Sequence, residues 1–231
     1  MLTNLRPRDA LKSIRWRSSS GFTIQHPAAT RELALTSDMV LEAPFRPATI
    51  EDCYDIARLF KIASGGVAEY TWATMQVDYP GLSPIEIGER RYASDNTVFT
   101  YKNAIVASQD GQVMGVLVTF PIVDEVDEPS EAEDQVLAPY SLEAPVSWYI
   151  CAMALFPEFR GQGLGTKLLA IARSQAQDKG FNQLSLLVFE QNSEAARLYE
   201  RHGFKTVDRA AVVPHKLIQY TGNILLMTAP V

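Results

Sequence analysis

A chain of 231 residues, 47% apolar and 21% charged, has the composition of a soluble globular protein and the length for one well-buried core. Its net charge of -6 and pI near 5.2 exclude the Lys and Arg excess that sequence-independent nucleic-acid binding needs. Two cysteines, Cys53 and Cys151, without a Cys/His pair at metal-ligand spacing, argue against a disulfide framework or structural zinc, and no apolar run approaches the ~20 residues of a membrane span.

The expectation is a cytoplasmic protein with no metal, no nucleic acid and no membrane among its partners, acting as a monomer or homodimer. In residues 1–44, Arg6, Arg8, Lys12, Arg15 and Arg17 face only Asp9 within the first thirty positions, and Ser18, Ser19 and Ser20 follow. That bias suits either a targeting segment or an extension outside the core, with Met39 as an alternative start. Residues 45–231 read as one domain.

From Phe45 a short strand leads to Thr49, a residue able to cap a helix that carries Ile50, Cys53, Ile56, Ala57 and Phe60 at three- and four-residue spacing. Ser64-Gly65-Gly66 breaks it, and Val67 to Met75 predicts a second helix. Tyr79-Pro80-Gly81 and Ser94-Asp95-Asn96 read as loops. Asn103 to Gln109 and Gln112 to Phe120 flank the turn Asp110-Gly111 and predict a hairpin. Asp124 to Asp134 holds seven acids and no base, the signature of a solvated connection. A strand from Val146 to Leu155, a helix from Leu164, a strand from Gln183 to Phe189 and a helix from Ser193 to His202 form a parallel crossover unit. Gly222 to Met227 would close the sheet.

Between the first strand and helix of that unit stands Arg160-Gly161-Gln162-Gly163-Leu164-Gly165-Thr166. Glycines there let a ligand approach the backbone, and the amides of a helix's first turn attract an anion. The Walker A ending is absent, because Gly165 is followed by Thr166 and only then Lys167. A dinucleotide fingerprint fits Gly161 and Gly163, with Glu190 just past the next strand, but Phe156 to Arg160 separate strand from glycine and Thr166 replaces the third glycine. A glycine-rich loop without a ligand is the remaining reading of the turn alone.

Arg160-x-x-Gly163-x-Gly165 resembles the acetyl-CoA pyrophosphate signature of the GNAT acetyltransferases. Asn192-Ser193-x-x-Ala196-x-x-Tyr199-x-x-x-Gly203-Phe204 is similar to that family's later motif, and the two cover about a quarter of the chain. The resemblance implies an α/β fold in which antiparallel N-terminal strands lead to a splayed parallel pair with helices on both faces. It implies acetyl-CoA as cosubstrate and an amine-bearing acceptor. Backbone groups of Met153, Ala154 and Leu155 would bind the pantetheine arm, Arg160, Gly161, Gln162, Gly163, Leu164, Gly165 and Thr166 the pyrophosphate, and Asn192 a further part of the cofactor.

The chemistry needs a base, an oxyanion donor and an acid. The amide near Leu155 suits the oxyanion. Tyr199 is the candidate acid, or a packing residue alongside Ala195, Leu198 and His202. His202, before Gly203, suits the helix dipole better than catalysis. No base is assigned: Tyr149 stands where some family members carry glutamate, Glu190 is a substitute, and Glu69 and Tyr70 can face the acceptor. An acyl-CoA-binding module without turnover is the alternative function, supported by Tyr149 and opposed by Tyr199.

Overall fold

The computed structural model describes residues 40–95, 97–123 and 134–231, so the basic N-terminal segment, Asn96 and most of the acidic run lie outside the described residues. Strand β1 (Phe45–Pro47) leads into Thr49, which forms a capping box with Asp52. The Thr49 N–H donates to Asp52 Oδ2 at 2.7 Å, and Arg46 grips the same carboxylate with both guanidinium nitrogens at 2.7 and 2.9 Å. Burial pushes the Asp52 pKa up, and these donors more than offset it, leaving it below the ordinary value. The first turn, Ile50–Asp52, is 3-10 helix before α1 (Cys53–Ala63) begins. Its tighter winding turns Ile50 outward to 53% exposure, against the apolar role expected of it.

Helix α2 (Val67–Thr74) follows as predicted, but α3 (Pro84–Tyr92) was not anticipated. Ser83 and Glu86 form its capping box and Pro84 occupies its first position. A Cβ at Gly88 would lie 2.8 Å from the Trp72 indole, so that glycine lets α3 sit close on α2. The predicted hairpin is present as β2 (Ala104–Gln109) and β3 (Gln112–Ile122), with Asp110 and Gly111 both at positive φ in the turn. Then come β4 (Ser147–Leu155), α4 (Leu164–Asp178), β5 (Gln183–Phe189), α5 (Ser193–Arg201), β6 (Lys205–Ala211) and β7 (Asn223–Pro230).

Among the described residues seven strands form one mixed sheet in the order β1-β2-β3-β4-β5-β7-β6, in which only β4 and β5 are parallel. The C-terminal apolar stretch joins the sheet as expected, as β7. It inserts between β5 and β6, where Ile224, Leu226 and Met227 are buried, and the edge falls to β6, which no apolar alternation announced. Helices α1, α2 and α3 cover one face, packing Ile56, Leu59, Trp72 and Ile87 on Val106, Val116, Val118 and Ala154. Helices α4 and α5 cover the other, packing Leu168, Ala172 and Tyr199 on Trp148, Ile150, Leu186 and Val188. Over β5 and β7 the first face is covered instead by chain segments 134–146 and 212–220, through Leu137, Tyr140, Val212 and Ile218 against Phe189 and Ile224. Residues 40–44, assigned from sequence to the extension, are attached to the sheet: Leu41 packs on the core and the Pro44 carbonyl accepts from Ser108 N–H at 2.8 Å.

Candidate active site

β4 and β5 pair only at Trp148↔Leu184, Tyr149↔Ser185 and Ile150↔Leu186. The next residue, Cys151, is the extra one in β4 where the register with β3 shifts, Thr119 facing Ile150 and Val118 facing Ala152. That bulge bends β4, which stays paired to β3 while β5 stays paired to β7, so the two inner edges diverge as a wedge. Phe156 N–H donates to the Met114 carbonyl at 2.9 Å, toward β3. Strand alternation then turns the backbone groups of Met153 and Leu155 toward the wedge and those of Ala154 toward β3. Of these three sequence-predicted residues, two offer the wedge an unpaired strand edge. The Leu155 carbonyl also accepts from Arg160 Nε at 3.4 Å, joining the end of β4 to the glycine-rich turn.

In that turn Gly161 and Gly163 have φ of +73° and +76°, where L side chains are strained, and a Cβ at either would meet nothing within 4 Å. Gly163 caps α4. The first helical hydrogen bond runs from Lys167 N–H to the Gly163 carbonyl at 3.2 Å, which leaves the amides of Leu164, Gly165 and Thr166 as the helix's open donors. Gly165 differs: a Cβ there would lie 3.4 Å from Leu198 Cδ2, so it also serves the approach of α4 to α5. Arg160, Gln162 and Thr166 are exposed around the turn, and Leu164 is buried.

Asn192 caps α5, its side chain accepting from Ala195 N–H at 3.4 Å. Two turns later Tyr199 is buried, its ring 5.6 Å from that of Phe204. Burial pushes its phenol up to about 12. Tyr149 is also buried, its ring 5.5 Å from that of Phe120, and its phenol is raised well above the ordinary value, first by burial and then by Cys151, Glu143 and Tyr199. Tyr199 is thus among the groups that raise the Tyr149 phenol.

The sequence candidates for a base lie elsewhere. Glu69 is ion-paired with Lys61 at 2.7 Å and lines a cleft of about 410 Å³ with Arg58, Ile62, Pro84 and Phe156, which does not reach Tyr149 or Tyr199. Tyr70 donates to Asp134 Oδ2 at 2.9 Å and packs on His215. Glu190 is exposed beyond β5 and accepts from Asn223 Nδ2 at 2.8 Å. The carboxylate that sequence reasoning missed is Glu143, half-buried in the segment before β4 and pushed up to about 6 by burial. Among the described residues no cluster of His, Cys, Asp or Glu is arranged to hold a metal, and no helix is long and apolar enough to cross a membrane.

A bulged, splayed parallel strand pair feeding a glycine-capped helix defines a mixed α/β fold. The acetyltransferase (GNAT) family model matches residues 67–204, and the chain belongs to that family. It is 41% identical over 54 residues to the thialysine N-epsilon-acetyltransferase of Bos taurus, 23% of this chain and 32% of that protein. It is 26% identical over 157 residues to the probable N-acetyltransferase camello of Xenopus tropicalis, 65% of this chain and 60% of that one. The chain thus spans less than two thirds of either relative's length. A solved acetyltransferase structure superposes with a TM-score of 0.57 at 22% identity, over 81% of this chain and 98% of the other, which shows the shared fold.

Proposed function

We propose that this protein transfers the acetyl group of acetyl-CoA to a primary amine by direct attack. The observation that carries the reading is the pair of open features at the wedge, the edge of β4 past Ile150 and the free amides of Leu164, Gly165 and Thr166. The backbone of Met153 and Leu155 holds the pantetheine arm as a neighbouring strand would, and the amides from Gly161 to Thr166 hold the pyrophosphate. Family membership supports this assignment, and the name of the Bos taurus relative refers to an epsilon amine, the acceptor class proposed here.

Acetyl-CoA supplies the activated thioester. The Leu155 N–H, preorganised at the wedge, donates to the oxyanion that develops on the acetyl carbonyl. Tyr199 holds a proton at neutral pH and delivers it to the departing sulfur. Asn192 fixes the start of α5 and with it the position of Tyr199.

The test has two readouts. Acetyl-CoA, and not NAD, should raise the melting temperature, because a ligand that binds only the folded state stabilises it by mass action. A panel of polyamines, aminoglycosides and peptide N-termini, followed by release of free CoA thiol, should give turnover with at least one amine. Stabilisation by NAD alone would overturn the cofactor assignment. Stabilisation by acetyl-CoA with no thiol release from any amine would favour a binding module, the reading to which the phenol of Tyr149 points.

A further inference from the structure

The acceptor side of the wedge can be located from the sheet's first face. Ser147 and Ser185 join hydroxyls across β4 and β5 at 2.7 Å, both fully buried. By strand alternation Tyr149 shares that face with Leu187 and Phe189. Helices α1 to α3 cover it as far as β4, and segment 134–146 covers it from β5 onward, so Tyr149 lies on the seam between the two covers.

Segment 134–146 is pinned on both sides of Glu143. Tyr140 packs on Phe189 with ring centroids 5.9 Å apart, and the buried Ala144 accepts from Ser147 Oγ at 2.7 Å. Glu143 is thereby held half-buried beside the seam, and no hydrogen bond or ion pair engages its carboxylate among the described residues. Other shielded acids are paired: Asp52 with Arg46, Glu69 with Lys61, Asp134 with Tyr70. An unpaired carboxylate withdrawn from water is costly to the fold, and such groups concentrate where chemistry needs them.

We propose that Glu143 is the general base, taking a proton from the acceptor ammonium directly or through one water; this rests on the acetyl-transfer reading above. The ammonium enters with three protons. One passes to Glu143 and on to solvent. The neutral nitrogen forms the C–N bond, the C–S bond breaks, and a second proton from nitrogen ends on sulfur, relayed by Tyr199. The third stays on the amide.

Glu143 acts on the Tyr149 phenol from β4, Tyr140 stands on its own segment, Cys151 and Tyr199 act on Tyr149 in turn, and Tyr70 and His215 cluster on Asp134 at the start of that segment. Burial raises the thiol and all four phenols, so none of these five ionises between pH 5 and 8. Burial alone raises Glu143, to about 6, so it is ionised at neutral pH and more basic than an exposed carboxylate.

The experiment measures kcat/KM against pH, with the best amine of the panel, for the full chain and for Glu143→Gln. The expected result is a wild-type acid limb near pH 6 that the variant lacks, and a fall in kcat of about 10²-fold or more. The variant's melting temperature at pH 7.5 should equal or exceed that of wild type, with the acetyl-CoA shift retained. Glu143→Asp should recover part of the rate. A Glu143→Gln rate within about threefold of wild type with the acid limb intact would overturn the base while leaving acetyl transfer standing. Loss of stability or of the acetyl-CoA shift in step with the rate would overturn it in favour of a structural role. Absence of turnover in the wild-type protein would remove both proposals.

Discussion

Tyr199 packs in the core, and the acid role proposed for it can be separated from that packing. Its ring fills the core between α5 and the sheet, while its phenol, pushed up to about 12, holds its proton far above neutral pH. Giving that proton outright to a thiolate of pKa near 8.5 runs uphill by about three units, so the donation must be coupled to proton return from the attacking nitrogen. Tyr199→Phe keeps the ring and removes the relay. The expected outcome is an unchanged acetyl-CoA melting shift and a single-turnover rate lower by about 10² to 10⁴-fold, roughly 3 to 5 kcal/mol of barrier. A packing tyrosine would instead lose about 1 kcal/mol of stability with the rate intact. Tyr199 was singled out in the sequence because it stands in a motif, from Asn192 to Phe204, that resembles the family's. Glu143 was not: it follows an acid-rich run in irregular chain, and what distinguishes it is burial, which no spacing encodes.

At the scale of elements, the first turn of α4 carries the phosphate site proposed above, and the exposed Thr166 offers a way to separate binding from folding. Thr166→Glu adds a negative charge to the positive end of the helix, which stabilises the free protein by about 0.3 to 1 kcal/mol. The same charge repels the pyrophosphate. A melting temperature that holds or rises, with the acetyl-CoA shift abolished, is the expected pair of results. A retained shift would move the phosphate site elsewhere. Glycine spacing made this turn readable, because Gly161 and Gly163 meet a demand for positive φ that few other residues satisfy. Helix α3 escaped notice although Ser83, Pro84 and Glu86 mark its start, since it buries only Ile87, Gly88 and Tyr92, too sparse a stripe to give a period. Strand β6 escaped because nearly every side chain in it is exposed.

For the whole molecule, the crossover from β4 through α4 to β5 was readable because strand, helix and strand follow one another along the chain. The place of β7 was not, because pairing between distant strands leaves no local trace. The N-terminal segment tests where the folding unit begins. Removing Met1 to Thr36, a stretch without sustained apolar periodicity, keeps the Leu41 anchor and should leave the melting temperature and the acetyl-CoA shift within experimental scatter. A drop of several degrees would make that segment part of the folding unit. The insertion of β7 has a further consequence, for biosynthesis. Strand β6 touches the sheet only through β7, and β5 has no other partner along its outer edge. On the ribosome, where the N-terminal parts emerge first, everything through residue 211 can be extruded while one wall of the wedge is still half-formed and β6 has nothing to join. The nascent chain must therefore wait for β7 before the wedge is complete, and a ribosome stalled between β6 and β7 would display an unpaired, aggregation-prone edge at Leu184 to Phe189.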